Sequence, residues 1–268
     1  HRGAAAPMYD LHFHILPGID DGAPTREIAL DMARMAVADG IQVTACTPHI
    51  YPGLYENTAQ GIAAAIAEFR AALDAEGIPL QLVMGADVHL DPALVDGLKG
   101  GRIPTLNGSR YFLFEPPHHV APPRLEEALF QVMAAGYVPV LTHPERLSWI
   151  DSHYPLFAEL VKRGVWMQLT AASVTGKFGK VAAYWARKFL DDGLVHIIAS
   201  DAHHSRKRPP NLSEARDWVA ARYGPKEAEA MVLTRPRGIL DDQPPESLPA
   251  LPSREVAPRQ GLWRRLFA

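Results

Sequence analysis

Five glycines, Gly40, Gly77, Gly136, Gly164 and Gly193, each fall just after a run of helical apolar spacing and just before a short β-rich run. A helix that ends in a left-handed residue favours glycine there, because a Cβ crowds the neighbouring carbonyl in that conformation. The candidate strands cover residues 8–15, 41–47, 80–88, 111–115, 137–142, 165–169 and 194–200. Helical periodicity covers 25–39, 58–76, 124–135, 154–163 and 181–192, with Ile28, Met32, Met35 and Ala36 setting the apolar face of the first. The repeated order strand, helix, glycine, strand implies parallel strands with crossover helices. About seven such units, an α/β chain, predict a closed or nearly closed barrel rather than an open sheet.

The chain has 268 residues, enough for one large α/β domain. Its net charge of −3 gives no reason to expect nucleic acid as a partner. Twelve histidines stand against one cysteine, Cys46, so an internal disulfide and a thiolate zinc site of the usual four-ligand kind are both excluded. That balance fits a reducing compartment, and the expected location is the cytoplasm. The chain contains no run of 18 apolar residues, so no transmembrane segment is expected. The seven residues ahead of Met8 lack the apolar core of a signal peptide and read as an extension before a natural start at Met8.

In a barrel of parallel strands the chemistry gathers at the strands' C-terminal ends. The polar clusters of this sequence fall there: Asp10-x-His12-x-His14 with Asp20-Asp21, Thr47-Pro48-His49, Asp87-Val88-His89, Glu115, His143-Pro144-Glu145-Arg146 and Asp201-Ala202-His203-His204. Alternation along a strand puts Asp10, His12 and His14 on one face. A lone histidine at a strand end is more often a hydrogen-bonded loop residue than a ligand. Several such ends delivering histidine or carboxylate together point to metal. Imidazole mixed with carboxylate suits Mn, Fe or Zn rather than Ca. Asp87 and Glu115 are the carboxylates best placed to bridge two cations. Of Asp20 and Asp21, which precede Gly22, Asp21 is taken as the ligand and Asp20 as the residue that shapes the turn.

These motifs resemble the polymerase and histidinol phosphatase (PHP) superfamily, and within it the bacterial tyrosine-protein phosphatases of capsule and exopolysaccharide operons. The likeness is carried by Asp20-Asp21-Gly22, Ile103-Pro104-Thr105-Leu106-Asn107 followed by Arg110-Tyr111, and Leu194 to His203 followed by Arg208-Pro209-Pro210. It implies a distorted seven-stranded PHP-type barrel over residues 8–240 with two to three divalent cations, Mn2+ first, Fe or Zn as alternatives. By motif, one cation would take His12, His14, Asp87 and Asp201. A second would share Asp87 and add Glu115 and His143, and a third would take Asp21, His49 and His203. Arg146 and Arg208, with Asp201, are the implied catalytic residues, the arginines holding phosphate. The basic stretch Ser205-Arg206-Lys207-Arg208 leaves Arg206 as a rival, and Arg208, directly before Pro209, is preferred. One departure is Asp87, where the resemblance predicts the longer glutamate.

The activity so implied is metal-dependent hydrolysis of phosphotyrosine, on a partner bacterial tyrosine kinase of capsular or exopolysaccharide synthesis. A thiol mechanism fails at the sequence, because the position six residues beyond Cys46 is Pro52 and not the arginine of a Cys-x5-Arg loop. The competing readings are a histidinol-phosphatase-like small-molecule phosphomonoesterase and a non-catalytic metal-binding scaffold that docks a kinase. Residues 241–260 read as a flexible proline-rich linker. The basic, aromatic tail 261–268 reads as a segment for weak contact with a membrane or a partner.

Overall fold

The computed structural model describes residues 6–253. The anticipated tail, 261–268, and the end of the anticipated linker lie outside the described residues. Ten strands form two sheets. Strands β1 (Met8–Asp10), β2 (Ile41–Cys46) and β5 (Gln81–Met84) make the smaller sheet, in the order β1-β2-β5. The larger sheet runs β10 (Ile197–Ala199), β9 (Trp166–Thr170), β8 (Val138–Thr142), β7 (Tyr111–Glu115), β6 (Asp87–His89), β3 (His49–Tyr51) and β4 (Tyr55–Glu56). All neighbours pair parallel except β3 and β4, a short antiparallel hairpin.

The two sheets share their strands in all but name. β2 continues through Thr47-Pro48 into β3, and β5 continues through Gly85-Ala86 into β6. A Cβ at Gly85 would lie 3.0 Å from the Leu106 side chain and 3.1 Å from that of Thr47, so the bend is a crowded position that suits glycine. The ends of the strand order meet beyond β1 and β10, where Phe13 bridges Ala202 in parallel. There Asp201 N donates to His12 O at 2.8 Å and His14 N to Ala202 O at 2.9 Å. Seven parallel strand positions therefore follow one another in chain order, and the junction is one bridge rather than a full ladder. The anticipated strand 8–15 stops at Asp10 because that side chain accepts hydrogen bonds from Ser200 N, Ser200 Oγ and His12 N.

Helices α1 (Arg26–Asp39), α2 (Ala59–Ala75), α3 (Leu94–Lys99), α4 (Leu125–Ala134), α5 (Ile150–Lys162), α6 (Ala171–Val174) and α7 (Gly179–Asp191) fill the crossovers. Gly40 takes φ 100° and donates to Ala36 O and Val37 O, closing α1 with the left-handed cap its spacing predicts. Alternation along β7 sorts the core. Phe112 and Phe114 pack outward under the helices, while Tyr111 and Leu113 join Val43, Val140, Trp166 and Ile197 inside the strands. The next inward position is Glu115, where the interior changes from apolar to polar.

After α8 (Ser213–Tyr223), which packs on α6, the opposite end is closed by α9 (Pro225–Glu229), a π-helical turn (Ala230–Thr234) and α10 (Arg235–Leu240). The composition of 241–260 reads as a flexible linker, but its described part, to Ser253, is pinned to this floor. Arg235 donates to Pro249 O and Ala250 O, each at 3.0 Å, and Tyr111 Oη donates to Gln243 O at 2.6 Å. Leu248 is buried against Gly238, where a Cβ would meet it at 2.2 Å. Among the described residues no helix is long and apolar enough to cross a membrane.

Candidate metal centre

The residues named as ligands from the sequence gather on the side of the strands' C-terminal ends, Asp21 from the turn ahead of α1, and all but Asp21 are buried. His12 Nε2 lies 3.1 Å from Asp201 Oδ1, 3.1 Å from His14 Nε2 and 3.3 Å from Asp87 Oδ2. His49 faces two ways, with Nε2 3.2 Å from Asp21 Oδ1 and Nδ1 3.2 Å from Asp87 Oδ2. His203 Nε2 lies 3.4 Å from the same Asp21 oxygen. His143 Nε2 lies 2.8 Å from Glu115 Oε1. The donor atoms fall into overlapping groups, among them His14, Asp21, His49 and His203, and His12, His143 and Asp201.

The far nitrogens are tied down. His12 Nδ1 is 2.7 Å from Gln168 Oε1, His14 Nδ1 is 2.8 Å from Asp20 Oδ2, and His203 Nδ1 is 2.7 Å from Asp201 O. Each partner is an oxygen that accepts, so Nδ1 carries a proton and Nε2 is the nitrogen turned inward. That arrangement is the one metal-binding histidines adopt. Two inward lone pairs 3.1 Å apart, on His12 and His14, repel unless a cation or a proton lies between them.

Other atoms of the centre lack partners in the protein. Both oxygens of Asp87, Asp201 Oδ1 and His143 Nδ1 are buried without a hydrogen bond. Burial of unsatisfied polar atoms is costly. The centre also stores backbone strain, with His143 at φ 32° and Asp201 at φ 51°, left-handed conformations that non-glycine residues rarely adopt. The chemistry and placement of the donors fit divalent cations that take imidazole and carboxylate together.

Electrostatics describes the same competition. Burial opposes charge on His12, yet Asp201 and Asp87 outweigh it and hold its proton up to about 9. Burial likewise opposes charge on His14 and His49, and Asp20 for the first and Asp87 for the second raise them. Burial would lift Asp201 and Glu115, but His12 and His203 hold Asp201 well below the usual carboxylate range, and His118, His143 and His89 do so for Glu115. His143 is pushed down to about 4 by burial, so it is neutral and ready to bind.

At the rim, Arg146 and Arg208 both reach Asp201 Oδ2, at 2.8 and 2.9 Å. Both guanidinium groups lie over the Phe178 ring, at 4.7 and 5.4 Å from its centroid. Arg206 is exposed, and its backbone N–H donates to His204 Nδ1. Of the two arginines, Arg208 is the one whose guanidinium reaches the strand-end cluster. Glu145, pushed up to about 8 by burial, accepts from Thr170 N and fixes the turn that presents Arg146. Cys46 is wholly buried, and burial pushes its thiol up to about 12, which removes it as a nucleophile at neutral pH.

Sequence reasoning missed several contributors. Asp20 does shape its turn, accepting from Gly22 N, but it also orients His14. Gln168 is an inward polar residue on a strand that is otherwise apolar or small, a visible signal in Trp166-x-Gln168-x-Thr170. His89 has the Asp87-x-His89 alternation that marked His12 and His14, and it reaches Glu115 Oε2 at 2.9 Å.

The sequence model of the family described as "Capsular polysaccharide synthesis, CpsB/CapC" matches residues 8–241. The chain belongs to this family. Tyrosine-protein phosphatase YwqE of Bacillus subtilis is 33% identical over 217 residues, covering 81% of this chain and 85% of the relative. Tyrosine-protein phosphatase CpsB of Streptococcus pneumoniae is 30% identical over 241 residues, covering 88% and 99%. A solved structure from work on those two proteins, described as unique metal-dependent tyrosine phosphatases, matches with a TM-score of 0.87 at 31% identity. It covers 93% of the CpsB/CapC chain studied here and 99% of its own. The phosphotriesterase homology protein of Escherichia coli, at 9% identity and a TM-score of 0.54, shares the fold alone.

Proposed function

We propose that this CpsB/CapC chain is a metal-dependent protein-tyrosine phosphatase of the cytoplasm, acting on a phosphotyrosine-bearing partner, a bacterial tyrosine kinase of capsule or exopolysaccharide synthesis. The observation that carries the proposal is the convergence of two rim arginines on Asp201, directly above a nest of imidazoles and carboxylates. His12, His14, Asp87 and Asp201 would hold one cation. Asp87, Glu115 and His143 would hold a second, and Asp21, His49 and His203 a third, with Mn2+ favoured. Bound cations there would supply Lewis-acid activation of water and neutralise charge on a phosphoryl group.

The protein's own part is binding and orientation. Arg146 and Arg208 present planar forks that match two phosphate oxygens and remain charged. With phosphate bound they would exchange Asp201 for substrate oxygens. Phe178 beneath both guanidiniums limits their freedom and so the entropy lost on binding. Beside the cluster lies a groove of about 670 Å³ lined by Tyr51, Tyr55, His118, Pro117 and Val120. Its aromatic and apolar walls suit a phenyl ring, which a sugar phosphate lacks. Phenolate has a parent pKa near ~10, so its departure needs less protonation than that of an alkoxide.

The test is phosphate release from a phosphotyrosine peptide, a phosphoserine peptide and histidinol phosphate, at equal concentration with Mn2+ present. The proposal predicts that the phosphotyrosine peptide is turned over fastest. Preference for histidinol phosphate would overturn it.

A further inference from the structure

We propose that His89 is itself a metal ligand, completing the donor set around Asp87 and Glu115 for a divalent cation that accepts imidazole and carboxylate. The inference rests on reading the strand-end cluster as a metal centre and adds a residue to it. Strands β6 and β7 place His89 and Glu115 in register, both pointing inward. His89 Nε2 lies 2.9 Å from Glu115 Oε2 and 2.8 Å from His49 Nδ1. One ring nitrogen carries at most one proton, yet His89 Nε2 has two close polar neighbours. Asp87 Oδ2, 3.2 Å from the same His49 nitrogen, has no hydrogen-bond partner. His49 Nδ1, Asp87, His89 Nε2 and Glu115 Oε2 thus converge on one small volume. A cation relieves all of these contacts together, which a single proton cannot do.

The surroundings hold the ring for this purpose. The side chain is 10% exposed, and the Tyr51 ring packs against it at 4.0 Å between centroids. His49 Nε2 meets Asp21 at 3.2 Å on the other side, so only its Nδ1 faces the volume that His89 completes. Aspartate at position 87 is a short carboxylate, and a histidine two residues on, facing the same way, supplies reach that Asp87 lacks.

The experiment compares wild type, His89→Ala and His89→Cys. Elemental analysis and Mn2+ titration calorimetry count the equivalents bound. His89→Ala is expected to bind one equivalent fewer, or to hold it roughly 10–100-fold more weakly, the range that loss of a supporting group at a metal site produces. In His89→Cys, cadmium is expected to give an ultraviolet thiolate-to-metal absorption that is absent from wild type and from His89→Ala, since Cys46 is buried in a strand. Wild-type stoichiometry and affinity in His89→Ala would overturn the proposal, as would cadmium uptake by His89→Cys without that absorption. Neither readout uses turnover, so a protein that rejects phosphotyrosine but shows both signals would sink the substrate assignment and leave His89 as a ligand.

Discussion

Gln168 Oε1 lies 2.7 Å from His12 Nδ1, and both side chains are wholly buried. An amide oxygen only accepts, so the bond keeps a proton on Nδ1 and turns Nε2 toward Asp87 and Asp201. Gln168→Leu removes the acceptor with little change in volume. It is expected to weaken metal binding about 10–100-fold while leaving the far-ultraviolet circular dichroism spectrum unchanged. Titration of the metal-stripped variant with Mn2+ checks this, and unchanged affinity would show that Gln168 only fills space.

The rim arginines are predicted to act on turnover rather than on metal content. Arg146→Ala and Arg208→Ala are each expected to lower kcat/KM about 10²–10³-fold, the usual cost of losing one preorganised donor to a charged transition state. Metal stoichiometry should stay at the wild-type value. Lysine at either position should recover little, because a point charge cannot engage two phosphate oxygens in one plane. Arg206→Ala, at an exposed position, should leave both quantities within about twofold of wild type. Steady-state kinetics with a phosphotyrosine peptide, beside elemental analysis, separates these outcomes.

Metal loading should depend on pH with a definite sign. Without metal, the folded protein holds the His12 proton up to about 9, against an ordinary value of 6.5. A cation bound at Nε2 must displace it, so binding at pH 7 releases protons and tightens as pH rises toward about 9. The same proton contributes stability to the metal-free fold that is fully present below 6.5 and is lost as pH rises through about 9. Calorimetry in buffers of different ionisation enthalpy counts the protons released. Metal binding without proton release at pH 7 would contradict this picture.

Stability at the barrel floor hangs on Arg235. This nearly fully buried side chain donates to His196 O, Pro249 O and Ala250 O, each at 3.0 Å. Arg235→Met keeps much of the apolar stem but strands three carbonyls. We expect a loss of roughly 3–5 kcal/mol in denaturant unfolding, from charged hydrogen bonds of about 1.5 kcal/mol or more each. Specific activity per folded molecule should not change, because the metal centre is at the other end of the strands.

The cluster was legible because its predicted ligands obey two rules visible in one dimension. They alternate, as in His12-x-His14, and they end or directly follow strands, as Glu115 and His143 do. The glycines after helices exposed the repeating unit, and Thr25, which accepts from Ile28 N, marked the start of α1. What escaped depends on contacts distant in sequence. Gln168 meets His12 across 156 residues, and no local pattern announces that pairing. The role of residues 241–253 was hidden because prolines and charges resemble a solvated linker. Their order comes from Arg235, Arg110 and Tyr111, which receive them on the floor. His89 follows the same alternation as the predicted ligands His12 and His14, but only the register of β6 against β7 shows that it faces Glu115.

The central claim is that the histidine and carboxylate centre carries the chemistry through bound metal. The most direct measurement is phosphate release from a phosphotyrosine peptide by protein stripped with chelator, then restored with Mn2+, with metal content determined at each stage and Cys46→Ser run in parallel. We predict that activity falls with metal content, returns on restoration, and is retained by Cys46→Ser. Full activity in metal-stripped protein, together with none in Cys46→Ser, would contradict the account.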